Sequence, residues 1–338
     1  MNFVKRFIPE PKVRSAVGLD IGAVSCKLLA AARQTDGWVI THYDCQMYGD
    51  RAFAEVIREV MGRCPELCRP PVIGMSGKGT VIRFLDLPRM PADDLQKSFR
   101  YEADKYLPFD IDDIYLDTHI LDPKAKTKKM RVMAAAVKKE AADKRLTLLQ
   151  EAGVQADCLT LNSVALANAA ACLPPTVEDK TPAIFAVFDI GQRVSALNIF
   201  QDGQLKFTRE MFTAGQQVTL EIARAKQISL EEAEKVKASG SAQDIHDLAE
   251  GVMNQIISDV RLSLDYYVTE ANAPVEAVFL TGGGSLLPEA DRFLQEALDT
   301  PVALWDPFAG MSLQEGLDQK EWQQNRVLFT TALGLALS

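Results

Sequence analysis

The chain has 338 residues, 47% of them hydrophobic and 25% charged, a balance that suits a soluble globular protein of two or three domains. Its formal net charge of -9 argues against nucleic acid as the main partner, because neutralising phosphates needs a basic face. No run of about 18 apolar residues occurs, so no transmembrane helix is expected, and residues 1–9 lack the long apolar core of a signal peptide.

Residues 1–12 read as a short tail with a basic-apolar start. Apolar runs at 15–22, 27–32 and 38–43 read as a strand meander, with a glycine-containing hairpin between the first two. Apolar residues at 53, 56, 57, 60 and 61 form a helical stripe, and 70–75 is a short buried strand. A strand at 81–87, a helix at 92–106, paired strands at 115–121 and 130–137 and a helix at 138–152 follow, making an insert over about 81–156. The lysine-rich stretch 124–129 is expected to be a solvated turn within it. An alanine-rich helix at 162–172 leads to a proline-rich boundary at 173–182. Beyond it come strands at 183–191, 195–200 and 205–209, helices at 217–225 and 230–238, and a long amphipathic helix at 246–272. The chain closes with a strand at 275–281, a triple-glycine turn, a helix at 288–298, a short strand at 302–304 and an apolar helix at 325–337.

Leu19-Asp20-Ile21-Gly22 and Phe188-Asp189-Ile190-Gly191 are an internal repeat, each following an apolar strand and preceding two more. In such a hairpin the glycine lets backbone amides approach a phosphate, and the aspartate can hold Mg2+ through water. Lys27 lies five residues after Gly22 and can reach a phosphate as a point charge. The turn Gly282-Gly283-Gly284-Ser285 offers backbone without side chains, against which a flat base or ribose can lie. The segment 74–80 is not a P-loop, because Gly79 rather than Ser or Thr follows Lys78 and a strand rather than a helix comes next. No GxGxxG opens a helix, no CxxC pair supports a zinc site, and none of the three histidines flanks a nucleophile motif.

With these motifs in this order the chain resembles the actin, Hsp70 and FtsA superfamily, and within it the PilM-like proteins of type IV pilus assembly. The further residues that carry the likeness are Leu87-Pro-Arg-Met, Glu102-Ala-Asp-Lys-Tyr-Leu-Pro108-Phe, Ala214-Gly-Gln-Gln-Val-Thr219, Glu232-Ala-Glu-Lys-Val-Lys237 and Thr331-Ala-Leu-Gly334. The resemblance implies an α/β protein of the actin-like ATPase fold, two lobes with duplicated core sheets and an FtsA-type 1C insert. The boundaries it implies are a first lobe over 13–175, a second over 176–316 with its own insert at about 214–272, and a C-terminal segment over 317–338 returning to the first lobe. It implies a site for ATP and Mg2+: Asp20 and Asp189 at the metal, and Gly22, Ser25, Lys27, Gly191, Ser195, Glu234, Lys237, Gly282, Gly283, Gly284 and Ser285 around the nucleotide. Departures from the family pattern at Ala23, Val24, Gln192-Arg193-Val194 and Asn162 remove hydroxyl or acidic groups, so weak or absent ATPase activity is expected. The resemblance also implies a cytoplasmic scaffold peripheral to the inner membrane, capable of self-association. Its partner would be the cytoplasmic N-terminal peptide of a PilN-like membrane protein. The expected groove lies between the first lobe and residues 81–156, with 81–87, Phe99-Arg100-Tyr101 and Leu107-Pro-Phe109 as one wall. An FtsA-like division protein or a phosphotransferase on the same fold is the alternative.

Overall fold

The structure is a computed structural model that describes residues 15–35, 37–64 and 70–338. The expected N-terminal tail lies outside the described residues. The chain forms two compact units. The first comprises the described residues up to Cys172 with Gly310–Gln319 and Thr331–Ser338, and the second comprises Leu173–Ala309 with Lys320–Thr330.

In the first unit, β1 (Ser15–Ile21), β2 (Ser25–Gln34) and β3 (Gly37–Met47) form an antiparallel meander. Helix α1 (Phe53–Gly62) buries Val56, Ile57, Val60 and Met61 on the sheet, as its stripe requires. Strand β4 (Val72–Met75) pairs parallel with β1. The insert follows: β5 (Thr80–Pro88), α2 (Ala92–Phe99), β6 (Ile114–Ile120), β7 (Lys129–Lys138) and α3 (Lys139–Glu151). Strand β8 (Cys158–Leu161) then joins the main sheet beside β4, and α4 (Asn162–Cys172) closes the segment. The insert's strands form their own antiparallel sheet, ordered β5-β7-β6. Central β7 is an almost unbroken apolar run because both its faces are covered. Met133, Ala135 and Val137 face the main core of the unit. Val132, Ala134 and Ala136 face a separate core made with Leu95, Phe99, Ala103 and Leu107.

The second unit repeats the plan. Strands β9 (Ile184–Ile190), β10 (Ser195–Gln201) and β11 (Gln204–Met211) form the meander. Helices α5 (Gly215–Lys226), α6 (Leu230–Ser239) and α7 (Ala242–Ala271) follow. Then come β12 (Ala277–Thr281), α8 (Ala290–Leu298) and β13 (Val302–Leu304). The sheet orders β3-β2-β1-β4-β8 and β11-β10-β9-β12-β13 are the same path traced twice. Strand β14 (Ser312–Leu313) adds a sixth strand to the first sheet, beside β3. Helices α9 (Gln319–Asn325) and α10 (Thr330–Ala336) end the chain, and Leu335 of α10 packs with Val72 and Ala165 in the first unit.

Several elements differ from the sequence reading. The helix expected over 92–106 stops at Phe99. The amides of Tyr101 and Glu102 turn to carbonyls three residues back, and the path tightens into a 3₁₀ turn at Ala103–Lys105. The long helix starts earlier than 246, at Ala242, where Ser241 accepts from the Asp244 amide, and is kinked at Ala249. The helix expected from 288 is preceded by a 3₁₀ turn at Gly283–Leu286, and Glu289, with φ 54°, separates the two. The apolar helix expected over 325–337 is a 3₁₀ turn at Arg326–Phe329 followed by α10. The first sheet has one strand more than the second, the two-residue β14.

Candidate functional site

In the first unit the repeated motif is the turn from β1 into β2. The Gly22 amide donates to the Ser25 carbonyl at 3.0 Å and closes it. Asp20 stands opposite Lys27 in the antiparallel register, and Lys27 Nζ donates to Asp20 Oδ2 at 3.2 Å. Both side chains are largely buried, so the pair carries a desolvation cost that makes it a weak source of stability. Ser25 is buried and hydrogen-bonded with Cys45, whose thiol is pushed up by burial first, against the pull of Lys27. Beneath the turn, burial followed by the Asp20 charge pushes the Cys26 thiol up to about 12. Tyr48, also raised chiefly by burial, donates its amide to the Val24 carbonyl at 2.9 Å. Arg145 of α3 completes the surroundings: its Nη1 donates to the Ile21 carbonyl at 3.1 Å. Burial pulls the Arg145 guanidinium below its usual range, and the Asp20 charge works the other way. The sequence reading missed this arginine; its position between the buried Ala142 and Leu149, on the inward face of a helix, is the signal that could have found it.

The second hairpin has the same backbone and different chemistry. Asp189 stands opposite Ala196, so the position equivalent to Lys27 carries no charge. Three distant segments converge on this hairpin. Asp189 lies against Gly282, where an added Cβ would overlap its carboxylate and come within 2.8 Å of the Ile190 carbonyl oxygen. Ile190 fills the space beside Gly284 in the same way. Two of the three turn glycines thus admit the end of β9, and Gly283, exposed, meets only Leu328 at 3.6 Å. Ser285 donates to the Gly282 carbonyl at 2.7 Å and holds the 3₁₀ turn closed.

The carbonyls of Gly191 and Gln192 accept the Gly215 and Gln216 amides at 3.0 and 2.7 Å, anchoring the start of α5. Gln192 Nε2 donates to Glu234 Oε1 at 2.8 Å, and Lys237 Nζ lies 2.7 Å from Glu234 Oε2. Thr219 donates to Glu234 at 2.6 Å and accepts from Lys237 at 2.7 Å. Glu234 and Lys237 are therefore joined to the hairpin through Gln192 rather than solvated on a helix face. Burial disfavours ionised Glu234, but the hydrogen bonds from Lys237, Thr219 and Gln192 outweigh it and lower its pKa.

Ser195 pairs with Ile190, one residue out of step with Asp189, and so stands on the opposite face of the sheet. Thr281 instead is in register with Asp189 and shares its face. Its hydroxyl is buried without a hydrogen-bond partner, a donor suited to a ligand oxygen. The sequence reading placed Thr281 at the end of a strand and gave it no role.

Residues 18–338 match the family described as Type IV pilus assembly protein PilM. The chain belongs to the PilM family. A solved PilM-PilN type IV pilus biogenesis complex is 25% identical, with 97% of this chain and 98% of that one covered, at a TM-score of 0.83. The ethanolamine utilization protein EutJ from Carboxydothermus hydrogenoformans is 15% identical over 98% of this chain and 93% of that one, at a TM-score of 0.57, a likeness of fold alone. The fold is the actin-like ATPase fold, with the core sheet duplicated and the insert placed in the first unit of this PilM-family chain. Among the described residues, no helix is long and apolar enough to cross a membrane.

Proposed function

We propose that this chain is a nucleotide-binding docking scaffold of a type IV pilus, or related secretion, assembly platform at the inner membrane. In this reading it captures the cytoplasmic N-terminal segment of a PilN-like membrane protein. The observation that carries the reading is the full-length likeness to a PilM that is itself in complex with PilN. The insert supports it. Strand β5 is an edge of the insert sheet, where an extended peptide can add by main-chain hydrogen bonds. Tyr101 stands 87% exposed at the end of α2, with Arg100 exposed beside it. The other aromatic and apolar wall residues behave differently: Phe99 and Leu107 fill the insert's own core, and Phe109 packs under Lys138 Nζ at 5.0 Å. The docking wall therefore reduces to Tyr101, Arg100 and the β5 edge.

The nucleotide part of the proposal assigns Mg-ATP to the two hairpins and the glycine turn. The donor set suits it: a strand-end carboxylate in each unit, Lys27 in the first, and in the second the unpartnered Thr281 hydroxyl on the Asp189 face. Among the described residues no three acidic, histidine or cysteine side chains form a metal cage. Magnesium needs none, since one or two carboxylates with water and phosphate oxygens suffice. Asp20 and Asp189 would supply the carboxylates, and the metal's contribution is to neutralise phosphate charge.

The test is a titration of the partner's N-terminal peptide against wild type and variants at Tyr101, Arg100 and the β5 edge. Binding weakened by those changes is expected. No binding to wild type, or binding indifferent to all of them, refutes the docking site.

A further inference from the structure

Helix α3 buries Ala142 and Leu149 in the core of the first unit. Arg145 lies between them on that inward face, where the pattern calls for an apolar residue. A guanidinium is retained in such a place only if it is well partnered. Its partner is the carbonyl of Ile21, the last residue of β1, whose peptide leads directly into Gly22. Nearby, the Tyr48 hydroxyl is buried without a hydrogen-bond partner, so the ground under this turn is polar and under-satisfied. Lys27, the only other cation of the turn described above, is already engaged with Asp20.

We propose that Arg145 is a positioning residue of the first hairpin, fixing the Ile21–Gly22 peptide and holding a positive charge beneath the turn for the phosphates. The inference rests on the reading of this hairpin as a phosphate site. With Arg145 in place the Ile21–Gly22 peptide keeps its orientation and a fixed positive charge stays under the turn. The effect belongs to the phosphates and not to the nucleoside.

The experiment measures binding of Mg-ATP and of adenosine to the full chain, as wild type, Arg145→Gln and Arg145→Lys. Glutamine keeps a donor for the Ile21 carbonyl but loses the charge, and lysine keeps the charge. Removing one positive charge beside the phosphate site implies that Arg145→Gln weakens Mg-ATP binding about 10-fold or more. Adenosine affinity should stay within about 2-fold, and Arg145→Lys should recover most of the loss. A merely structural defect would weaken both ligands alike, and that result overturns the proposal. Unchanged Mg-ATP affinity in Arg145→Gln, or no recovery by lysine, overturns it too while leaving the nucleotide reading standing. Absence of Mg-ATP binding in wild type defeats that reading and this inference with it. If Arg145→Gln fails to fold, Arg145→Lys decides by itself: a loss as large for adenosine as for Mg-ATP refutes the proposal.

Discussion

The three turn glycines are identical in the sequence and unequal in the structure, which gives a sharp test of the second hairpin. Gly282 has φ 80° and ψ 174°, a region that only glycine populates freely, so a side chain there costs of order 1–3 kcal/mol in the backbone. An added Cβ would also overlap the Asp189 carboxylate, and forcing atoms into a packed site costs typically about 1–3 kcal/mol more. Gly282→Ala should therefore destabilise by about 2–6 kcal/mol. At roughly 2–4 °C per kcal/mol for this size class, the melting temperature should fall by about 4–24 °C. Gly283 lies in the 3₁₀ turn, and its added Cβ meets only Leu328 Cδ2 at 3.6 Å. Gly283→Ala should be neutral or stabilise by about 0.4–1 kcal/mol through the unfolded chain. Differential scanning calorimetry of the two variants without nucleotide reads the contrast. Equal losses, or a Gly282→Ala protein that melts like wild type, would show that Asp189 is not seated on the Gly282 backbone as described.

The site reading expects Mg-ATP at a hundred times its dissociation constant to stabilise wild type by about 2.7 kcal/mol, and Asp20→Ala and Asp189→Ala each to abolish the melting shift. A shift retained by both variants refutes the assignment. Tyr101→Ala should leave the melting temperature within about 1 °C, as an exposed substitution does, while weakening the peptide about 10-fold, as loss of an aromatic anchor does. Phe99→Ala, which empties a packed position in the insert's core, should cost about 3–5 kcal/mol; circular dichroism melts and peptide titration separate the two. For Glu234 the folded pKa is lowered, so its contribution is present above the ordinary value of 4.5 and lost as pH falls through the folded value. Melting temperature plotted against pH should therefore drop more steeply below about pH 4.5 in wild type than in Glu234→Gln. Parallel curves would show that the Gln192–Glu234–Lys237 network does not hold the carboxylate ionised.

Much of the fold was legible because periodicity and turns dominate its local choices. The Asp-Ile-Gly repeat announced two sheets, and the sheets trace the same strand order. What escaped were elements set by tertiary context. Strands β8 and β14 are four and two residues long, and each exists because a neighbouring strand offers an edge. The helix beginning at Ala92 looked continuous to Tyr106, since Leu95, Phe99 and Ala103 keep helical spacing and all are buried. The break shows only in the backbone, where the amides of Tyr101 and Glu102 turn to carbonyls three residues back, a local choice that periodicity does not register.

At the site, the same distinction between pattern and register decides which residues can act together. Counting from each aspartate, Ser25 and Ser195 seem comparable small hydroxyls after a DxG turn. Pairing fixes Asp20 opposite Lys27 and Asp189 opposite Ala196, so the position matching Ser195 is Cys26, and the position matching Ser25 is Val194. Because side chains alternate across a strand, one residue of offset moves a hydroxyl to the other face, and Ser195 parts from Asp189 for that reason. The duplication has preserved backbone and not chemistry. The first hairpin is organised by charge, with Lys27 on Asp20 and Arg145 on the Ile21 carbonyl. The second is organised by an amide, with Gln192 joining Glu234 and Lys237 to the turn that Asp189 and Gly282 complete. A replacement that looks like a loss of hydroxyl donors in the motif is, in three dimensions, what ties α5 and α6 to the hairpin.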